Sequence, residues 1–363
     1  MTESTKLIYQ HDGEKLLHPS KILSIIPLPE LPEPDQALAK DSSEIEHAVI
    51  TDSTVFYVQG GGQPADIGTM KSDAATKAGS VFEVKSVRQP AQGSQILHLG
   101  RFIPPGATGF VAGKEVQQSV DSEIRSLHSR LHTAGHVMSL AIHALCREGI
   151  LPPLKESKAS HYPDSASVVF EGTIEGKHKD AIQAKTDEFV RSASPVKIHW
   201  WSMEDLREKC YGVTEAFELP EGEVMGRVVE MEGLGSYPCG GTHVRDCSQV
   251  GKIVVKKISR SKGTSRTVCD AWTGCRQGIN YYNNSRHENS TFGFSRRLDR
   301  WHQYSSRFTC FDQLSGACTH ETPLHKATRN NQMDVIKIIR KRKGDAEIKN
   351  IDWQNYEALG KCA

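Results

Sequence analysis

The segment RLHTAGHVMSL, residues 130–140, places two histidines four positions apart within a long amphipathic pattern. Residues i and i+4 lie on the same face of an α-helix, one turn apart. Asp121 is a suitable N-cap for this helix, and Gly149 with the prolines that follow it predicts the end. His132 and His136 are therefore predicted to lie one above the other, where both imidazoles can reach one metal ion. Taken alone, the pair does not establish a metal site, because histidine pairs that only cover a surface are common and ligand sets are not.

A second pair of candidate ligands lies in SYPCGGTHV, residues 236–244. Cys239 and His243 have the spacing C-x-x-x-H, and the two glycines between them allow a tight turn that brings thiolate and imidazole to one ion. The pair is far from the histidine helix in sequence, which excludes a zinc finger and predicts a site assembled across a folded domain. Three imidazoles and one thiolate form a plausible zinc set. The alternatives are a buried thiol and a hydrogen-bonded histidine at a strand end.

A third stretch, TVFYVQGGGQPADIG, occupies residues 54–68. Its first five residues are β-formers and predict a strand. The three glycines that follow allow a close backbone approach or a moving loop. The chain has no G-x-x-x-x-G-K-[ST] motif here, and no G-x-G-x-x-G opens a helix, which argues against a nucleoside triphosphate site.

These three stretches, in this order, resemble the editing domain of alanyl-tRNA synthetase and its free-standing relatives, the AlaX trans-editing proteins. The resemblance covers roughly residues 5 to 272. It implies a zinc-dependent hydrolase that removes serine or glycine wrongly attached to tRNA(Ala), acting in trans. It also implies that the zinc ligands are His132, His136, Cys239 and His243. The substrate-binding residues that it implies are Thr54, which faces the aminoacyl group, and Gln63 with Gly60, Gly61 and Gly62 in a loop over the active site.

The implied substrate is an ester between an amino acid and the ribose at the 3′ end of tRNA(Ala). Zinc can lower the pKa of bound water to about 7 and can polarise a carbonyl, but four protein ligands close the ion. Two routes therefore stay open: one ligand gives way to water, or the ion holds the substrate while another group directs the water. The Thr54 hydroxyl is a partner for the serine hydroxyl, which predicts that correctly attached alanine is spared. Asp66 matches the family pattern, and a turn cap is as good an interpretation as catalysis.

The formal net charge of +1 predicts no global attraction to nucleic acid. A local basic stretch follows the second ligand pair, however, and contains no acidic residue. Its predicted tRNA contacts are Lys256, Lys257, Arg260, Lys262 and Arg266. A solvated strand-and-turn face is the alternative. Nine cysteines, an odd number without a regular framework, indicate a reducing compartment and favour the cytoplasm. Neither a membrane span nor a signal peptide is expected.

The predicted fold class is α+β. Residues 1–115 read as a small β-barrel subdomain that carries the glycine motif, and residues 116–272 as a mixed α+β zinc-binding editing domain. Residues 273–318 are predicted to be an irregular linker. Residues 319–363 resemble a partial ankyrin repeat, a short helical tail whose T-P-L-H-x-A signature is nearly complete.

A second hypothesis belongs to another class: an interaction protein whose ankyrin-like tail binds a protein partner and whose zinc domain is structural and inactive. The deacylase hypothesis is favoured because an inactive relic need not keep Thr54, Gln63 and all four ligands in register. The chain offers no evident ATP-binding catalytic core, so aminoacylation is not expected.

Overall fold

The computed structural model describes residues 3–40, 43–72, 81–106, 110–163, 165–220 and 222–272. The linker and the ankyrin-like repeat predicted for residues 273–363 lie outside these ranges. Within them, no helix is both long enough and apolar enough to cross a membrane.

The described chain is mixed α+β, as the sequence predicts. Its strands are β1 (Lys6–Leu7), β2 (Leu17–Pro27), β3 (His47–Thr51), β4 (Ser53–Thr54), β5 (Gly68–Ser72), β6 (Val81–Arg88), β7 (Leu97–Ile103), β8 (Glu115–Val120), β9 (Lys155–Ser160), β10 (Ser167–Glu171), β11 (Val196–Trp201), β12 (Gly226–Met231), β13 (Gly235–Pro238), β14 (Lys252–Ser261) and β15 (Thr264–Trp272). Its α-helices are α1 (Glu33–Gln36), α2 (Ser122–Arg147), α3 (Lys179–Arg191) and α4 (Met203–Lys209).

Six strands close a barrel in the order β2-β3-β7-β6-β5-β8, which confirms the predicted β-barrel. The last of these, β8, runs from Glu115 to Val120, beyond the boundary predicted at residue 115. Alternating apolar side chains fill the interior, and the aromatic rings of Phe82 and Phe102 lie with their centroids 5.0 Å apart. A closed barrel has no free edges, so each backbone ladder is paired.

The strand predicted for residues 54–58 is wrong beyond Thr54, because β4 contains only Ser53 and Thr54. Side chains take the place of a neighbouring strand in the residues that follow. The amide of Val55 donates to Gln118 Oε1 at 2.9 Å, and the amide of Tyr57 donates to Asp66 Oδ2 at 2.7 Å. The β-forming residue types there reflect burial, since Val55 and Tyr57 are both in the core.

Helix α2 is the histidine helix, and it begins where Asp121 predicts. The Asp121 carboxylate accepts hydrogen bonds from the amides of Glu123 and Ile124, which satisfies two donors of the first turn. The helix packs on a four-stranded sheet of order β14-β15-β10-β9 and forms one apolar core with it and with α3. A separate three-stranded sheet, β11-β12-β13, carries the chain toward the second ligand pair.

A buried ion pair joins the barrel to α2. Arg125 donates through Nε to Asp66 Oδ2 at 2.9 Å, and its Nη2 makes a second, shorter bond to the same oxygen. The same guanidinium donates to the carbonyls of Gly13 and Val55, at 2.6 and 2.7 Å. Asp66 is completely buried, so its carboxylate anchors the turn after the glycines and fixes α2 against the barrel.

Candidate metal centre

The two predicted ligand pairs meet at one place. One donor atom from each of His132, His136, Cys239 and His243 lies within 4.8 Å of the other three. Helix α2 supplies the first two side chains from one face, and the turn after β13 supplies the other two. Sequence-distant residues have thus been brought to a single point inside the fold, which is the arrangement that a metal centre requires.

The tautomer of His132 follows from the hydrogen bonds around it. Gln63 Oε1 accepts from the backbone amide of Thr242 at 3.1 Å, and Gln63 Nε2 donates to Thr242 Oγ1 at 2.9 Å, which fixes the orientation of the Gln63 amide. The same Oε1 lies 2.7 Å from His132 Nδ1, so Nδ1 carries the proton. The Nε2 lone pair of His132 is left to face Cys239 Sγ, 3.4 Å away.

His243 is oriented by the same logic. Thr133 Oγ1 donates its proton to the carbonyl of Ser129 at 2.8 Å, so it accepts from His243 Nδ1, which lies 3.1 Å away. The lone pair of His243 Nε2 then points toward Cys239 Sγ at 3.4 Å. Thr133 and Thr242 are the threonines within the two motifs, and sequence reasoning did not assign them a role. Thr133 orients His243 directly, and Thr242 orients His132 through Gln63.

His136 completes the set from the next turn of α2. Its Nε2 is buried and has no hydrogen-bond partner among the described residues. Its ring packs on Tyr237 with centroids 4.7 Å apart, and Tyr237 Oη donates to Ser139 Oγ at 2.9 Å. A buried imidazole nitrogen without a partner is costly unless a ligand satisfies it.

The protonation states also suit a metal. Burial lowers the pKa of His136 to about 4, and burial with neighbouring imidazoles holds the pKa of His132 and of His243 well below the ordinary value. All three rings are neutral at pH 7, the form that binds metal ions. Burial raises the pKa of Cys239, while the Gly241 amide and the Arg227 guanidinium oppose it. The donor set, the freed Nε2 lone pairs and the orphaned nitrogen of His136 together fit tetrahedral zinc.

A fourth imidazole, that of His161, lies against this group, and the sequence pattern does not single it out. Its ring stacks on His132 with centroids 4.1 Å apart and is completely enclosed. Its backbone amide donates to the carbonyl of Gly62 at 2.8 Å. A Cβ at Gly62 would lie 2.6 Å from the carbonyl oxygen of Ala159, so the glycine turn and β9 approach more closely than other residues permit.

The structure places the predicted substrate-binding residues in two environments. Gln63 lies against His132, and the turn of Gly60 to Gly62 positions it, with the Gly60 carbonyl accepting from the Gln63 amide at 2.8 Å. Thr54 is fully buried at the barrel. Its hydroxyl lies 2.7 Å from His98 Nε2 and accepts from the amide of Phe56 at 3.1 Å. A contact between Thr54 and a substrate would require this hydroxyl to exchange one of these partners.

The predicted tRNA contacts lie on one antiparallel hairpin. Strands β14 and β15 carry them, and the turn between the strands contains Lys262, whose φ is +48°. Lys257 and Arg266 lie on the same face of the hairpin. Lys257 pairs with Val268, and Arg266 lies two residues before Val268 on the same strand, so its side chain points the same way. All five side chains are exposed: Lys256, Lys257, Arg260, Lys262 and Arg266. Arg266 also donates to Ser167 Oγ at 2.9 Å.

Part of the sequence is similar to a known family of domains. Residues 227–266 match the family described as threonyl and alanyl tRNA synthetase second additional domain. The matched segment begins at Arg227 and includes Cys239 and His243.

Individual relatives extend the similarity over most of the described chain. A protein named alanyl-tRNA editing protein AlaX-M, from Methanosarcina barkeri, is 29% identical over 226 residues, which are 60% of this chain and 85% of that protein. Proteins named alanine–tRNA ligase are 27% identical over 264 residues in Methanosphaera stadtmanae and 30% identical over 263 residues in Korarchaeum cryptofilum. The matched regions are 25% and 24% of those two ligases, so the chain spans about a quarter of their length. These similarities support an AlaX-like editing domain.

Proposed function

We propose that this protein is a zinc-dependent aminoacyl-tRNA deacylase that hydrolyses mischarged tRNA(Ala) in trans, with serine as the main amino acid removed and glycine as a second. The convergence of His132, His136, Cys239 and His243, with their donor atoms within 4.8 Å of one another, carries the proposal. The similarity to the AlaX-M editing protein, which covers 85% of that protein, supports the same activity.

In this proposal the four side chains hold one Zn²⁺, which when bound supplies a Lewis acid for an ester carbonyl or for water. Gln63 and Thr133 keep the Nδ1 protons of two imidazoles pointed away from the ion, so that each Nε2 lone pair faces it. The turn of Gly60 to Gly62 sets the position of Gln63. The protein thus supplies donors that are already oriented toward one point.

In the proposal, Thr54 selects the amino acid and the basic hairpin binds the tRNA. Thr54 accepts the serine hydroxyl by exchanging a partner, and a site that hydrogen-bonds this hydroxyl discriminates against alanine. The exposed basic hairpin contacts tRNA phosphates through positively charged side chains such as Lys257 and Lys262. In domain terms, residues 1–115 carry the glycine turn and residues 116–272 form the deacylase domain.

The test compares loss of serine and of alanine from tRNA(Ala), with zinc content measured on the same samples. The expected result is about one zinc per chain, hydrolysis of the serine ester and survival of the alanine ester. Cys239→Ala should lose both zinc and activity. Cys146→Ala is the matched control, because this partly exposed thiol lies at the far end of α2. Full zinc without deacylation would refute the proposed activity.

A further inference from the structure

One row of side chains crosses the three-stranded sheet from its open edge to the metal centre. Trp200 on β11 pairs with Arg227 on β12, and Arg227 faces Cys239, whose amide donates to the Arg227 carbonyl at 3.1 Å. Directly opposed residues of antiparallel strands present their side chains on the same face. Neighbouring strands lie about 4.8 Å apart, so Trp200 and the ligand Cys239 are separated by about 10 Å along this row.

The outer end of the row is an aromatic stack that stays open. The rings of Trp200 and His11 are stacked with centroids 5.2 Å apart and an interplanar angle of 21°. His11 is exposed, and Trp200 is only partly covered. Strand β11 is an edge strand of its sheet, and on the same face Ile198 keeps 38% of its surface exposed. A flat, apolar platform is therefore left at the edge of the sheet, two strand spacings from the proposed metal centre.

The middle of the row is a buried cation. Arg227 keeps only 8% of its surface exposed, yet it forms no salt bridge with an acidic side chain among the described residues. Its guanidinium donates to the carbonyls of Gln10, at 2.8 Å, and Cys239. Arg227 also interacts electrostatically with Cys239, so its charge lies between the aromatic stack and the proposed metal ligand.

We infer that the stack of Trp200 and His11 binds the terminal base of the tRNA, with Arg227 facing the sugar-phosphate backbone beside it. This inference rests on the proposed function, since the ester must lie at the metal centre. The end of an aminoacylated RNA presents a base, a charged backbone and an ester in close succession. The row presents an aromatic platform, a cation and a metal-ligand group over about 10 Å. Stacking on an aromatic side chain binds any base, because every base has a π-face.

The strand itself provides a matched control. Trp201 is the next residue, pairs with Gly226 and points to the opposite face, where it stacks on His199 with centroids 5.2 Å apart. Trp201 is also partly covered. Trp200→Ala and Trp201→Ala thus remove the same side chain from adjacent positions, and only the first belongs to the row.

The experiment measures binding of a labelled, uncharged RNA hairpin with the tRNA(Ala) acceptor stem and its single-stranded 3′ end to the zinc-loaded full chain. Trp200→Ala should weaken binding by about 5- to 140-fold, as expected for loss of one stacked base. Trp200→Phe should restore most of it, and Trp201→Ala should leave it nearly unchanged. In deacylation, Trp200→Ala should raise KM with little change in kcat.

A shortened hairpin without its terminal nucleotide makes the test specific. Wild-type protein should bind it as weakly as Trp200→Ala binds the full hairpin, and the two proteins should then be indistinguishable. If the wild type still binds the shortened hairpin more tightly than Trp200→Ala, or if both tryptophan variants lose affinity equally, the inference is overturned. Quenching of tryptophan fluorescence by the full hairpin, present in the wild type and lost in Trp200→Phe, tests the stack without a destabilising substitution.

The outcomes separate this inference from the proposed function. Hairpin binding that depends on Trp200, without any deacylation, would refute the proposed activity and keep the base-binding site. Deacylation with unchanged KM in Trp200→Ala would keep the activity and refute the base-binding site.

Discussion

Gly135 lies directly beneath the imidazole of His161. A Cβ placed on Gly135 would come within 2.3 Å of His161 Cε1 and 2.5 Å of its Nδ1. Gly135 is the glycine of the HTAGH segment, between the two helical ligands. The absence of a side chain at this position of α2 therefore lets a ring from the segment after β9 stack on His132. The packing of His161, and through it that of the proposed metal ligand His132, depends on a residue that is unfavourable in a helix.

We predict that Gly135→Ala destabilises the protein although it favours the helix. Helix propensity alone would raise the free energy of unfolding by about 0.8–1.0 kcal/mol. Overpacking against His161 should cost about 1–3 kcal/mol and weaken zinc binding by displacing His132. Chemical denaturation and a zinc competition titration measure the two effects.

The second substitution His161→Ala should relieve this clash, so the double variant is expected to be more stable than the sum of the single changes predicts. Ser126→Ala, on the exposed side of α2, is the control for helix propensity. A Gly135→Ala protein more stable than the wild type, with unchanged zinc affinity, would contradict the role given to this glycine.

Gln63→Ala is expected to weaken zinc binding by about 10- to 100-fold, because it removes the acceptor that holds His132 Nδ1–H. Gln63→Glu keeps an acceptor for that proton and should lose less affinity. Competition with a chromophoric chelator measures both. Gln59→Ala, a partly exposed position in the same segment, should bind zinc as the wild type does. Equal affinities for Gln63→Ala and Gln59→Ala would show that Gln63 does not orient the ligand.

The ion pair of Arg125 and Asp66 should be essential for stability. Arg125→Met leaves a fully buried carboxylate without its cation, which should cost about 3–5 kcal/mol of unfolding free energy. Lys197→Met is the control. Lys197 and Glu232 are joined at 2.5 Å, but their side chains are 46% and 50% exposed, so the loss there should be about 0–1 kcal/mol. Urea unfolding of both variants measures the loss of unfolding free energy. Similar losses for the two variants would show that the buried Asp66 carboxylate does not need Arg125 for stability.

His98 should make the barrel sensitive to acid. It is completely buried, donates through Nδ1 to the Val49 carbonyl at 2.9 Å, and burial lowers its pKa to about 4. Since the unfolded chain binds this proton near pH 6.5, stability is full above that pH and is lost as the pH falls toward 4. The loss from this residue should reach roughly 3 kcal/mol once the pH is below both values.

His98→Gln can keep both hydrogen bonds, to Val49 and to Thr54, but does not titrate. For the metal-free proteins, the free energy of unfolding should therefore depend on pH in the same way for wild type and variant above pH 7. The two pH dependences should differ most between pH 6 and 4. Denaturant midpoints across this range measure the difference. Parallel curves for the two proteins would show that His98 does not couple protonation to folding.

The sequence by itself determined the local features of this protein. The 3.6-residue periodicity and the Asp121 cap predicted α2, and the motifs named the four residues whose donor atoms converge. The sequence also predicted a β-barrel in residues 1–115, although residues 55–58 were misread as strand, because buried segments favour β-forming residues even when side chains satisfy their backbone. These predictions succeed because helix periodicity, caps and ligand spacing act over a few residues.

Only the tertiary structure decided which distant residues meet. The hydrogen bond from His132 to Gln63, the place of His161 on Gly135 and the pairing of Thr54 with His98 each join segments far apart in the chain. The row from Trp200 through Arg227 to Cys239 exists only because three strands align in one register. Such contacts depend on the packing of whole sheets and helices. No local pattern specifies them, because the same local pattern is compatible with many different long-range partners.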